Sequence, residues 1–319
     1  MARKLSARFR AIKKALLLVA VAGVAFAGCD AASHAPRAAL AGLQVIDAAA
    51  LPSPTLAFEA PPPADAPRRI VSLIPSVTET LFVLGLGDRI VGRSHWCDYP
   101  AEATTRPSTG RQEAINLEKV ADLRPDVVFV WRHLPDVART LRETFGLRVV
   151  SPGTENREEI FDGIDATARA CGVPERGAVL LAEIRRGLED ARRRWGARPP
   201  RRTLLLLDRN PLFAPGPGSF LDELMTTVGA VNVAAAPGGP SWAHFSPERI
   251  LDWDPEVVLD LSLGDGAGVE EARAFWSRFP RVTAVREGRV RLVAQGVLVR
   301  PGPRLAAVAE LLGKLVHDG

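Results

Sequence analysis

Cysteine is scarce, with three residues in 319. So few exclude a fold held by disulfides and leave the work to a hydrophobic core, for which 47% hydrophobic residues suffice. The apolar run from Ala15 to Gly28 is too short for a membrane span, at about 14 residues where a helix takes roughly 20. The sequence words of common catalytic sites are absent too. There is no Gly-x-Ser-x-Gly elbow, no His-Glu-x-x-His zinc helix and no phosphate loop ending in Gly-Lys-Ser/Thr. An extracytoplasmic enzyme stays only as the alternative of another class. Excess charge of one sign is lacking once the chain ends are told apart. Lys and Arg number 41 against 37 Asp and Glu, but six basic and no acidic residues fall in the first 28. The remainder holds 35 against 37, which removes nucleic acid from the expected partners.

What is present begins with an export signal. Arg3, Lys4, Arg8, Arg10, Lys13 and Lys14 precede the apolar run, which is the layout of such a signal. The run ends in Phe26-Ala27-Gly28-Cys29, which resembles the lipobox of bacterial lipoproteins. That resemblance implies removal of residues 1–28 and lipidation of Cys29, anchoring the chain to the periplasmic side of the cell membrane. An ordinary cleaved signal is the alternative, and both place the mature chain outside the cytoplasm. Within 29–67, Asp30 to Gly42 reads as a flexible tether. Leu43-Gln44-Val45-Ile46 and Thr55-Leu56-Ala57-Phe58 are expected to pair as an edge hairpin before Pro61-Pro62-Pro63. A Cys97 to Cys171 bridge is chemically allowed in that compartment, and nothing in the spacing argues for it.

From Arg69 the pattern is α/β. A first lobe, 68–155, has expected strands at Ile70–Ile74, Arg89–Gly92, Asp126–Trp131 and Leu147–Ser151. Ser76-Val77-Thr78-Glu79 reads as a capping box opening its first helix. Residues 156–198 read as one long backbone helix with a break or kink at Gly172-Val173-Pro174, and Arg185, Arg186, Arg192, Arg193 and Arg194 as its solvated face. A second series, 199–319, repeats the alternation. The repeat is detailed: Asn116-Leu117-Glu118 through Pro125-Asp126-Val127-Val128-Phe129 matches Ser246-Pro247-Glu248 through Pro255-Glu256-Val257-Val258-Leu259 over fourteen positions in register. The expected class is therefore α/β, with two Rossmann-like lobes joined by one long helix and a ligand cleft between them.

From about Arg69 to Leu315 the chain resembles the periplasmic cobalamin-binding protein family, within the ABC-importer binding proteins for cobalamin, siderophores and haem. The matching words are Arg69-Ile70-Val71-Ser72-Leu73 with Pro75-Ser76 and Thr78-Glu79, then Gly85-Leu86-Gly87-Asp88, Asp98-Tyr99-Pro100, Asn116-Leu117-Glu118 and Pro125-Asp126-Val127-Val128. The resemblance implies a monomer that binds cobalamin or a related corrinoid, without catalysis, and delivers it to a permease driven by an ATPase. The same fold with a ferric siderophore or haem is the alternative, for which Arg93, Arg111, Arg132 and Arg300 are the available cations.

Ligand contacts are expected on loops after the strands: Trp96, Tyr99, Trp131, Arg132, Trp242, His244 and Arg300. Aromatic faces suit a flat conjugated ligand, and a cation suits a peripheral carboxylate or amide oxygen. Trp96, Trp131, Trp242 and Arg300 stand where the family's cobalamin binders carry contacts. A further Trp before Asn-Leu-Glu is replaced here by Gly110-Arg111-Gln112-Glu113, which implies a polar wall. Trp253 and Trp276 are assigned to the core. His95 and Cys97 are speculative axial ligands of a cobalt or iron centre, against the plainer reading of a loop-bonding histidine and a packed thiol. No protein-bound metal or catalytic cofactor is expected. The resemblance also implies that Glu118 and Glu248 dock onto arginines of the permease, one per lobe.

Overall fold

The computed structural model describes residues 40, 43, 45–47, 51–262, 268–294 and 296–318. The expected signal, Cys29 and most of the expected tether lie outside the described residues.

The buried β-branched run at Arg69 forms a strand, Ile70–Ser72, at the heart of a four-stranded parallel sheet. Its order is Ile90–Arg93, Ile70–Ser72, Val127–Phe129, Val149–Val150. A second parallel sheet runs Ala230–Asn232, Arg201–Leu206, Val257–Asp260, Val290–Val293, with Val45–Ile46 added at its edge. Numbered by their place in the chain, both four-strand sets have the order 2-1-3-4. The duplication expected from fourteen residues therefore extends to whole sheets.

Local details repeat as well. Arg124 (φ 45°) and Asp254 (φ 37°) are the non-glycine residues with left-handed backbone among the described residues, and each lies eight positions after Asn116 and Ser246. Asp126 accepts from the backbone N–H of Arg68 and Arg69 at 2.8 and 2.9 Å, as Glu256 does from Arg202 at 3.0 Å. The guanidinium of Arg69 donates to Leu123 O, and that of Arg202 to Trp253 O. In both copies a carboxylate and an arginine thus tie the helix end to the start of the sheet's first strand.

The backbone helix expected over 156–198 is two helices, Arg157–Ala170 and Pro174–Trp195. Gly172 adopts φ +70°, while Val173 N–H bonds Ala168 O and Gly172 N–H bonds Arg169 O. This is the left-handed termination that glycine permits, and Pro174 then opens the next helix. The 22-residue second helix is about 33 Å long. Leu180, Leu181, Ile184, Leu188 and Ala191 form its buried stripe, whereas Arg186, Arg192 and Arg193 pair with Glu183, Glu189 and Asp190 along its surface. One hydrophobic cluster includes Ile70 and Phe129 of the first sheet and Leu205 and Leu259 of the second, so the core continues through this helix.

Other expectations are corrected. Val45–Ile46 pairs in parallel with Leu292 and Val293 and not with Thr55–Phe58. The strand Val290–Val293, buried at three of its four positions, offers Val45–Ile46 an apolar edge. The tether is fastened at Leu40, fully buried in the second cluster, where its carbonyl accepts from Arg273 Nε at 3.1 Å. Asp208–Arg209, Leu212–Pro215 and Trp242–His244 form an antiparallel sheet that periodicity did not reveal. Trp276 is fully buried, as expected, with Nε1 donating to Asp260 at 2.7 Å; Trp253 is half-buried against Phe245.

Candidate functional site

In parallel sheets, ligands bind outside the carboxyl ends of the strands, where the strand order reverses. The loops leaving those ends here are Ser94–Tyr99, Val130–Leu134, Ser151–Asn156 and the turn Gly296–Arg300. They carry Trp96, Tyr99, Trp131, Arg132 and Arg300, whereas Trp242 and His244 stand on the antiparallel strand Trp242–His244; the structure gathers these residues into small groups.

Trp131 follows the third strand of the first sheet, half-buried against the main core, 5.3 Å from the His133 ring. Its Nε1 is buried with no hydrogen-bond partner among the described residues, and so is Ser151 Oγ on the loop after the fourth strand. Such groups normally find a partner, so the Trp131 N–H is one that an outside acceptor could satisfy. Arg132 faces Glu159 at 3.3 Å.

Trp96 is half-buried, with the His95 ring edge-on at 5.2 Å and the Arg111 guanidinium over its face at 5.2 Å. Arg111 sits on a hairpin, Gly110–Arg111 with Ala114–Ile115, which requires glycine at 110. Its φ is +115°, and a Cβ there would lie 2.3 Å from Ala114 O. Gln112 Nε2 meets His133 Nε2 at 2.7 Å. The hairpin thus presents polar groups where a further Trp is lacking.

Trp242 is held by Nε1 donating to Glu155 Oε2 at 2.7 Å, with Phe213 and Phe220 rings about it. His244 is exposed and packs on Phe213 at 4.7 Å. Glu155 O also accepts from Phe220 N at 2.9 Å, so one loop of the first sheet clasps Trp242 and a helix start beside the second.

In the fourth group sequence reasoning found Arg300 and Tyr99 but missed Glu79, Asp98 and Arg304. Glu79 and Arg304 are 1% and 3% exposed and form a two-point pair, Nε to Oε2 at 2.8 Å and Nη2 to Oε1 at 2.6 Å. Arg300 Nη1 donates to Asp98 Oδ1 at 2.6 Å and lies 3.5 Å from Glu79 Oε1. Burial pushes the Glu79 carboxyl above its ordinary range, and the two guanidiniums oppose that push. The capping box expected at Ser76–Glu79 is corrected accordingly. Pro75 opens the helix Pro75–Val83 two residues earlier, Ser76 is buried within it, and Glu79 turns to the arginines. Tyr99 belongs here and not beside Trp96: its ring lies 4.0 Å below Arg304 and lines a cavity of about 510 Å³ with Leu56, Phe82 and Arg106.

Cys97 is fully buried, donates to Ser72 O at 3.5 Å and lies 3.2 Å from Ser94 Oγ. Burial pushes its thiol up, away from the ligating thiolate. The axial role imagined for Cys97 is therefore corrected to that of a packed thiol. Cys171 is likewise buried and free, its thiol pushed up to about 12 by burial. No group of three or more metal-ligating side chains occurs among the described residues.

Glu118 and Glu248 are exposed in the first turns of Leu117–Asp122 and Pro247–Trp253. Glu118 makes no ion pair among the described residues. A hydrogen bond from Ser246, with a backbone N–H, holds the Glu248 carboxyl below its ordinary range.

Two parallel sheets of like order carry aromatic and paired charged groups at their strand ends, an arrangement suited to capturing a solute. The chain belongs to the periplasmic binding protein family, whose model matches residues 70–295. It is 27% identical to the vitamin B12-binding protein of Photorhabdus laumondii over 255 residues, 79% of this chain and 89% of the relative. Among solved structures it resembles the periplasmic vitamin B12-binding protein of Vibrio cholerae, with TM-score 0.68 and 27% identity, covering 79% of this chain and 98% of that one. It resembles equally a periplasmic haem-binding protein from Roseiflexus, with TM-score 0.69 and 26% identity, covering 79% and 98%.

Proposed function

We propose that this chain is the ligand-capturing lipoprotein of an ABC importer, lipidated at Cys29, and that its ligand is cobalamin or a related corrinoid. Two lobes, one around each sheet, hold the ligand between their strand-end loops. Trp96, Trp131 and Trp242 supply faces for the ring system.

The observation that carries this reading is that none of the four expected cations stands free among the described residues, two facing carboxylates and two being engaged by carbonyls or an aromatic face. Of the four cations available to an anionic ligand, Arg132 faces Glu159 and Arg300 faces Asp98 and Glu79. Arg93 spends its guanidinium on the carbonyls of Ser94, His95 and Thr104. Arg111 lies on Trp96. A siderophore or a haem with ionised propionates asks for uncompensated cations, whereas the neutral amides of a corrinoid both donate to carboxylates and accept from Trp131 Nε1 and Ser151 Oγ.

Titration of the protein from Asp30 onward with cyanocobalamin, cobinamide, haem and a ferric siderophore, followed by tryptophan fluorescence, tests it. The expected result is submicromolar quenching by the corrinoids, weakened about tenfold or more by Trp131→Ala, the scale of a central aromatic contact. Tighter binding of haem or the iron chelate overturns the ligand.

A further inference from the structure

Asp98 is the exposed partner in the Arg300 network, with its side chain 51% exposed against 17% for Arg300 and 1% for Glu79. It lies on the loop after the second strand, two positions after Trp96 in the chain, and its carboxylate is 2.6 Å from Arg300 Nη1. The buried part of the network is already balanced, because Glu79 and Arg304 bond each other at two points. One guanidinium charge remains over, that of Arg300, and Asp98 is the group that cancels it. Structural need does not explain the aspartate. An asparagine would still accept from Arg300 and would keep the loop, so what the carboxylate adds is charge.

We propose that Asp98 sets the charge selectivity of the site, cancelling Arg300 so that ligands bearing ionised carboxylates are rejected while neutral, amide-bearing ones are kept. This deepens the corrinoid reading and rests on it. An incoming carboxylate would have to displace Asp98 from Arg300 or sit beside it, and like charges at such range repel. A primary amide can donate to Asp98 and accept from Arg300 at once. Selectivity then arises from a repulsive element as much as from the attractive faces.

The test measures cyanocobalamin and haem affinities of the full mature protein and of Asp98→Asn and Asp98→Ala, with thermal melting as the check on folding. The expected result is a shift of the haem-to-cobalamin affinity ratio toward haem by about tenfold in Asp98→Asn, a single charge effect of ordinary size. That gain should shrink between low and high salt. A wild type selective for cobalamin whose ratio Asp98→Asn and Asp98→Ala leave unchanged overturns this proposal and spares the corrinoid reading. A wild type that prefers haem overturns the corrinoid reading and this proposal with it. If the wild type binds neither, haem binding gained in Asp98→Asn supports the charge role, and its absence overturns it.

Discussion

Arg304→Ala should cost about 3–5 kcal/mol of stability, because it strands a carboxylate that is 1% exposed. Glu79 would keep only the 3.5 Å contact with Arg300, and Tyr99 would lose the cation over its ring. Urea unfolding followed by near-ultraviolet circular dichroism measures this, and a loss below about 1 kcal/mol would refute it. Replacing both partners by apolar residues, Glu79→Met with Arg304→Met, should recover most of the loss, since the pair repays a desolvation that methionines never incur. The pH dependence has a definite sign. Burial already raises the Glu79 carboxyl from its ordinary 4.5, and removing Arg304 raises it further. The folded variant then takes up a proton at pH values where the unfolded chain does not. Its deficit therefore narrows as pH falls from neutral toward 4.5, and widens again on return.

That pair also marks where the sequence stopped being readable. Ser76-Val77-Thr78-Glu79 satisfies the local pattern of a capping box, but Pro75 starts the helix earlier and the partner of Glu79 lies 225 positions away. No local rule reports a contact of that separation. The duplication was legible for the opposite reason. Its parts, a polar cap, an early acid, a proline and a buried strand, are local devices, and the structure adds that Arg124 and Asp254 share the left-handed backbone between them. Trp276 was assigned to the core from its neighbours in a helix, correctly. The aromatic loop residues were found as residue types, but not their company: Arg111 on Trp96, Glu155 under Trp242 and Asp98 on Arg300 each join separate stretches of chain. Val45–Ile46 was read as a strand and given the wrong partner, because the residues it pairs with come 247 positions later.

The second large effect concerns delivery. Each helix bearing Glu118 or Glu248 turns back into the third strand of its sheet through a connection of only three or four residues. Its N-terminus therefore lies toward the strand ends that carry the ligand loops. An importer that takes ligand from those loops must approach this face, and it meets one exposed carboxylate from each lobe at equivalent places. Hydrogen bonds from Ser246 and a backbone N–H hold the Glu248 carboxyl below its ordinary range. The double variant Glu118→Ala with Glu248→Ala should bind ligand within about twofold of the wild type while uptake through the cognate permease falls to background. Each interfacial charge pair is worth roughly 2 kcal/mol or more, so two together weaken docking by about a thousandfold. Single variants should show intermediate uptake, and permease arginines changed to glutamate should be rescued by Glu118→Arg or Glu248→Arg on the matching side. Normal uptake by the double variant, with both helices intact, would remove these residues from the docking surface and leave the ligand assignment untouched.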